Sequence, residues 1–315
     1  MPFWFVGEGP FAALCLEHLD RLLRPEEGCR LTRIITGMPT RSGRGMKETP
    51  SPVEACAARL GLPVERTGRL SQNEELLASL QASPPDAVFV IDFGQIIREP
   101  FLSTPRWGCL NIHPSLLPRW RGAAPIQRAL MNGDAQTGVT VFHLVPEMDA
   151  GPVLCQAKLP VGPDATASDL YGALSALGSE IAAAGLMALS KGTATFTEQE
   201  HANATCAAKL DREEFEVTWD KPAQKIHNVV RALDMSGGAF LPLKEGGRLK
   251  LWRTALADTP EGTPGTILGL DAEGPVVACG TGALRLLEVQ APGKRRMRAS
   301  DWVRGLRLAA GDRLI

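Results

Sequence analysis

The 315-residue chain has a formal net charge of −1, 44% apolar residues, 24 prolines and 32 glycines. That composition excludes a disordered or fibrous protein, and the length favours two domains. The seven cysteines are scattered, with no Cys-x-x-Cys pair, which fits reduced thiols and gives no support to a disulfide framework or a zinc site.

Predicted elements alternate along the first two thirds. Met1–Val6 is apolar, lacks a cationic leader and stops at Gly7-Glu8-Gly9, so it reads as a first strand over 2–6 rather than a signal peptide. No apolar run is expected to span a bilayer, and the expected compartment is the cytoplasm. A helix from Phe11 places Phe11, Leu14, Cys15, Leu19 and Leu22 on one face. A strand follows at Arg30–Thr36, then a Gly/Arg/Pro-rich loop over 37–50. Ser51-x-x-Glu54, with Pro52 at the first helical position, opens a helix that Gly61 ends. Asp86–Ile91, Gly108–His113 and Thr137–Val145 have strand length, and Ala167–Ser190 is a long Ala/Leu-rich helix. Strands alternating with helices imply βαβ units, hence a Rossmann-like α/β domain over 1–189.

The polar stretch 190–208 reads as a linker, and 209–315 as a second domain. There, a helix at Pro222–Leu233 precedes short strands at Arg248–Arg253, Thr266–Leu270, Pro275–Cys279 and Ala283–Val289, the pattern of a small, OB-like β-barrel. Residues 281–315 hold eight Lys or Arg against three Asp or Glu. A basic tail on a mildly acidic body suits a polyanion met at one place, or simply a solvated surface.

The segment Gly108-Cys-Leu-Asn-Ile-His-Pro114 carries chemistry. On a strand, Asn111 and His113 point to one face and Leu110 and Ile112 to the other, and Pro114 ends the strand. The pair is then expected at a carboxyl end of the sheet, where open α/β sheets bind ligands. An amide can stabilise a developing oxyanion and an imidazole can move a proton; taken alone, such a pair is more often a hydrogen-bonded strand end. Asp149, in Asp149-Ala150-Gly151, is an Asx-turn former unless its loop reaches His113, whose ring it would then orient.

Asn111-x-His113, Ser115-Leu116-Leu117-Pro118, Gly122 and Asp149 together match the signature of 10-formyltetrahydrofolate-dependent formyltransferases. The run Ser115–Gln127, the stretch Gly133-Asp134-x-x-Thr137-Gly138-Val139-Thr140, and Trp219-x-x-Pro222-Ala223-x-x-Ile226-His227-Asn228 with Pro264-Gly265-Thr266-Ile267 extend the resemblance over essentially the whole chain. The resemblance implies acyl transfer by a catalytic trio Asn111, His113 and Asp149. It implies a formyl-folate co-substrate bordered by Phe93, Gly94, Ser115, Leu116, Leu117 and Pro118, with no metal and no covalent enzyme intermediate.

Two acceptor classes compete, a tRNA or a small amine such as an amino-sugar nucleotide. Arg41, Arg44 and Lys47 lie in a loop similar to the basic insertion with which one branch of the family engages initiator methionyl-tRNA. Lys294, Arg295 and Arg296 are a second expected phosphate contact. The resemblance thus implies formylation of the methionyl α-amino group on that tRNA, by a monomer without membrane partners. Three stretches depart from the family's common wording: Gly7-Glu8-Gly9-Pro10, Asp92-Phe93-Gly94 and Asp234-Met235-Ser236-Gly237-Gly238.

Other readings are set aside on residues. Gly7-x-Gly9-x-x-Ala12 resembles a dinucleotide fingerprint, but Ile35-Thr36-Gly37 supplies no acidic strand end. Histidines 18, 143, 201 and 227 lack ligand spacing, and His227 reads as a packing or interdomain residue. Arg119-Trp120-Arg121 could stack a base or anchor a domain surface. A tRNA-binding module with a dead site would lack members of the trio, and all three are present.

Overall fold

A computed structural model describes residues 1–23, 28–42, 47–243, 246–258 and 262–314. In chain order the first elements are β1 (Pro2–Gly7), α1 (Pro10–Leu22), β2 (Arg30–Gly37), β3 (Thr40–Ser42), β4 (Lys47–Thr49), α2 (Pro52–Leu60), β5 (Glu65–Thr67), α3 (Glu74–Ala82), β6 (Ala87–Ile91) and β7 (Cys109–His113). They are followed by α4 (Pro125–Asn132), β8 (Gln136–His143), β9 (Val153–Pro160) and α5 (Ala167–Ser190). Seven of these strands form one sheet in the order β5-β2-β1-β6-β7-β8-β9. The first five run parallel, as the alternation predicts, whereas β8 runs antiparallel to both of its neighbours, β7 and β9.

Both faces of this sheet are covered, which is why its central strands are unbroken apolar runs. Phe3, Phe5 and Phe89 are fully buried, each contributing about 1.5–3 kcal/mol relative to exposure. Trp4, Val6, Val88 and Val90 alternate with them and pack with Leu76, Leu80, Ile97 and Phe101. α5 is long and apolar enough by length and composition to cross a membrane, an exception to the sequence expectation. Packing accounts for its apolarity: a Cβ on Gly178 would lie 2.5 Å from Ile112 and 2.8 Å from Val139, so the helix sits directly on the sheet.

The predicted helix cap at Ser51 forms by half. The Ser51 hydroxyl accepts from the Glu54 N–H at 3.0 Å, but the Glu54 carboxylate accepts from Arg66 at 3.1 and 3.2 Å instead of returning to the cap. Gly61 ends α2 in the left-handed conformation. Within the span read as a loop over 37–50, the described residues include β3 and β4, which pair as a two-stranded ladder with Ser42 opposite Lys47.

The later elements are α6 (Ala223–Ala232), β10 (Ala239–Pro242), β11 (Arg248–Ala257), β12 (Ile267–Leu270), β13 (Pro275–Ala278), β14 (Ala283–Gln290), β15 (Met297–Arg298) and α7 (Ala299–Gly305). The strands form an antiparallel sheet in the order β10-β11-β14-β13-β12, with β15 on β14, the small β domain anticipated from short strands and frequent turns. Its core gathers Trp219, Ile226, Val230, Leu251, Val277, Leu284 and Leu286.

Contacts divide the chain into two compact units. One comprises Met1–Gly122, Gln136–Pro160 and Tyr171–Cys206; the other comprises Ala123–Ala135, Val161–Leu170 and Ala207–Ile315. Most of the polar stretch read as a linker therefore packs within the first unit, where Thr197 exchanges two backbone hydrogen bonds with Val153 at 2.7 and 2.8 Å.

Candidate active site

β7 places the expected pair. It lies parallel to β6, with Phe89 opposite Leu110, and antiparallel to β8, with Asn111 opposite Phe142 and His113 opposite Thr140. Leu110 and Ile112 are buried on the face covered by α5. Asn111 and His113 share the other face; Asn111 is half-buried and its side chain makes no hydrogen bond to a described residue. The edge of the Phe142 ring meets the His113 imidazole at 6.4 Å between centroids.

The loop between β8 and β9 brings Asp149 to His113. Asp149 Oδ2 lies 3.7 Å from Nδ1 of His113 and accepts a 2.8 Å hydrogen bond from the Gly122 N–H. The Trp120 carbonyl lies 2.8 Å from Nε2 of His113; a carbonyl can only accept, so Nε2 carries the hydrogen and the ring cannot swivel freely. Nδ1 faces the carboxylate from beyond hydrogen-bond range, which leaves that edge able to meet a third group. Three neighbouring residues adopt positive φ: Trp120 at 62°, Gly122 at 123° and Asp149 at 50°. Such conformations cost roughly 1–3 kcal/mol for a non-glycine residue and concentrate where geometry matters.

The Ser115–Pro118 turn is held from two strands. The Thr140 hydroxyl donates to the Ser115 carbonyl at 2.7 Å and accepts from the Leu117 N–H at 3.1 Å. Gln156 on β9 donates to the Leu117 carbonyl and to Thr140 at 2.7 and 2.8 Å. A Cβ on Gly138 would lie 2.4 Å from Leu116. The sequence assigns Thr140 and Gln156 no role; the signal it offers is a polar residue between Val139 and Val141, which the structure buries fully. Burial pushes the Cys109 thiol, on the same strand as His113, up to about 12, so it is un-ionised and not a nucleophile.

At the end of β6, next to β7, the Phe93-Gly94 turn is tied to the end of β1. The Gly94 N–H donates to Glu8 Oε2 at 3.3 Å, and the Asp92 carbonyl accepts from the N–H groups of Glu8 and Gly9. Asp92 Oδ2 accepts from the Phe11 N–H at 3.3 Å, and a Cβ on Gly9 would fall 1.8 Å from that oxygen. Two departures from the family wording are thus one arrangement, in which Gly9 makes room for Asp92 to cap α1. The carboxylate occupies the helix start that a dinucleotide pyrophosphate would need, which removes the nicotinamide reading.

The basic residues are spread over both units. Arg41 lies on β3 and Lys47 on its partner β4, and Arg44 lies outside the described residues. Lys294, Arg295 and Arg296 are exposed. The Arg296 guanidinium stacks on Trp252 at 3.3 Å, and the Lys250 ammonium lies 5.4 Å from the same ring. Trp120 contributes its carbonyl to the site, while the Arg119 guanidinium lies 5.7 Å from its ring. Among the described residues no group of three His, Cys, Asp or Glu gathers to hold a metal.

Residues 5–185 match the family described as "Formyl transferase", and residues 209–307 match "Formyl transferase, C-terminal domain". The chain is 43% identical over 313 residues to the methionyl-tRNA formyltransferase of Methylobacterium nodulans, covering 98% of each protein. It is 40% identical over 309 residues to that of Aromatoleum aromaticum, covering 98% of this chain and 95% of the relative. In fold it is similar to HypX from Aquifex aeolicus, with a TM-score of 0.65 at 18% identity over 99% of this chain and 49% of that one. It is similar, too, to an N-formyltransferase from Helicobacter canadensis, with a TM-score of 0.63 at 17% identity over 90% and 98%. With both halves matched and near-complete alignment to curated relatives, the chain belongs to the formyl transferase family.

Proposed function

We propose that the chain transfers the formyl group of 10-formyltetrahydrofolate to the α-amino group of methionyl initiator tRNA, with Asn111, His113 and Asp149 as its catalytic residues. The observation that carries the reading is the carboxylate and imidazole brought to 3.7 Å beside an amide with no hydrogen-bond partner among the described residues. Identity to proteins named for that activity, over 98% of the chain, supports the acceptor. A formyl-bearing substrate suits these residues, because the Asn111 amide has hydrogens to offer an oxygen that gains charge.

The amine nitrogen attacks the formyl carbon, a new C–N bond forms, and the bond from that carbon to the folate nitrogen breaks. The attacking nitrogen loses a proton and the leaving nitrogen gains one. An α-amino group has a pKa of roughly 7.7–8.0, so a neutral fraction exists near neutrality without a strong base. Asn111 donates to the formyl oxygen as it becomes negative. His113, fixed by the Trp120 carbonyl through Nε2, presents Nδ1 to the reacting groups, and Asp149 orients that edge and assists proton movement. Phe93, Gly94 and Ser115–Pro118 border the folate, and the held turn at 115–118 keeps that wall in place. Arg41, Arg44, Lys47, Lys294, Arg295 and Arg296 contact tRNA phosphates. The reaction belongs to translation initiation, in the cytoplasm.

The test is transfer of labelled formyl from 10-formyltetrahydrofolate to methionyl initiator tRNA, beside a His113→Ala control. Label on the tRNA that the control abolishes supports donor, acceptor and site together. Folate turnover without labelled tRNA would overturn the acceptor, and amino-sugar nucleotides would be the next substrates to assay.

A further inference from the structure

We infer that Gln199 is a positioning residue for Asp149, clamped in place by Arg121. The inference rests on the reading of Asp149 given above and extends it into the stretch between α5 and the second unit.

Gln199 is buried, with 6% of its surface exposed. Its Nε2 donates to the carbonyl of Asp149 at 2.9 Å and to that of Gly151 at 2.7 Å, so both amide hydrogens are used on one turn. Its Oε1 accepts from Arg121 Nε at 3.2 Å and Nη2 at 2.7 Å. Donors on one side and carbonyls on the other admit a single orientation of the amide. Arg121 is itself held: its N–H donates to the Thr205 carbonyl at 2.8 Å, and Nη2 lies 3.0 Å from His201 Nδ1.

These bonds close a ring around Asp149. The carboxylate accepts from the Gly122 N–H, Gly122 follows Arg121, the Arg121 guanidinium holds Gln199, and Gln199 holds the Asp149 backbone. Such a ring is what a strained residue requires. Asp149 sits at φ 50°, a conformation an L-residue with a side chain leaves readily unless its surroundings over-determine it. Gly151 is fitted against the neighbouring strand end, since a Cβ there would meet the His143 carbonyl oxygen at 1.8 Å. With the turn anchored on that side, release of the Gln199 side lets the carboxylate drift from Nδ1 of His113. A misplacement of about 1 Å can cost about a hundredfold in rate.

The test is a double-mutant cycle on the full-length protein. Single-turnover formyl transfer to methionyl initiator tRNA is measured for wild type, Gln199→Ala, Asp149→Asn and the double variant, with folate affinity and Tm recorded for each. Gln199→Ala is expected to lower the transfer rate about ten- to a hundredfold with folate affinity retained, and to lose almost nothing further once Asp149 is Asn. Arg121→Lys, which cannot reproduce the two-toothed contact, serves where Gln199→Ala folds poorly and should show a smaller loss of the same non-additive kind. Full additivity in the cycle, with Asp149→Asn severely impaired, overturns the positioning role and leaves the reading of the site standing. An Asp149→Asn variant with the wild-type rate overturns both.

Discussion

His113 and His227 stand in different units, yet their surroundings share a vocabulary. Each is buried, each has a backbone carbonyl near Nε2, and each has an aspartate within 4 Å. His227 projects from α6, with Nε2 facing the Pro163 carbonyl at 3.1 Å and Asp164 at 3.3 Å, and Nδ1 facing the Thr254 hydroxyl at 3.0 Å. Arg231, one turn on, donates to the carbonyls of Gly162 and Ala165. Every ring atom that can bond is committed at bonding distance, and the result is a clasp that fixes residues 162–165 to α6. His113 differs on its other edge: Nδ1 faces a carboxylate beyond bonding range, beside an amide with no described partner and backbone at positive φ. A buried histidine with an aspartate is thus by itself no mark of a catalytic site; what sets His113 apart is the unsatisfied edge and the strained frame around it, on which the proposed role rests.

The comparison breaks or holds first on activity. Asp149→Asn and Asn111→Ala are each expected to lower formyl transfer by about 10²–10⁴-fold without loss of fold. His227→Gln should leave the rate within about threefold while lowering Tm, as a clasp residue does. Equal losses of activity at His113 and His227 would erase the distinction.

Backbone strain sharpens it next. Gly151→Ala drives a methyl into the His143 carbonyl and is expected to cost about 1–3 kcal/mol together with most of the activity. Gly61→Ala, at φ 72° with open space around it, should cost roughly 1–2 kcal/mol and no activity. Melting curves paired with transfer rates separate the two.

A third contrast is in pH. Burial holds the His227 imidazole below its ordinary value of 6.5, opposed by the Pro163 carbonyl and Asp164 and reinforced by Arg231. The unfolded chain therefore takes up its proton first as pH falls, so this contribution is complete above about pH 6.5 and is lost below it. His18 and His143 shift the same way, chiefly through burial, and His227→Gln should flatten only part of the acid-side fall in Tm between about pH 8 and pH 5.5.

The smallest effect is expected at the basic rim. Arg296→Ala should weaken tRNA binding modestly and reduce the slope of log affinity against log salt by about 1, with folate-site chemistry intact. An unchanged slope would remove this face from the proposed tRNA surface.

Much of this was legible in the residues. The alternation of Leu110, Asn111, Ile112 and His113 gave the face of the pair, and Pro114 gave the strand end, because pleating and the missing N–H are local properties. Ser51, Pro52 and Gly61 marked α2 for the same reason. The reversed direction of β8, antiparallel to both β7 and β9, was not legible, since an apolar run carries no sign of direction. The stretch 190–208 read as a linker because it is polar and aperiodic. Its polar groups are in fact used: Gln199 and Thr205 bond to turns that are distant in sequence.

The sequence by itself therefore determined the elements, the faces of its strands and the residue types available for acyl transfer, all properties that depend on near neighbours. Only the tertiary structure decided that Asp149 would reach His113, that Gly9 would make room for Asp92, and that His227 would be closed off. Each of those depends on hydrogen bonds and close approaches between residues dozens of positions apart, where no local periodicity records the partner.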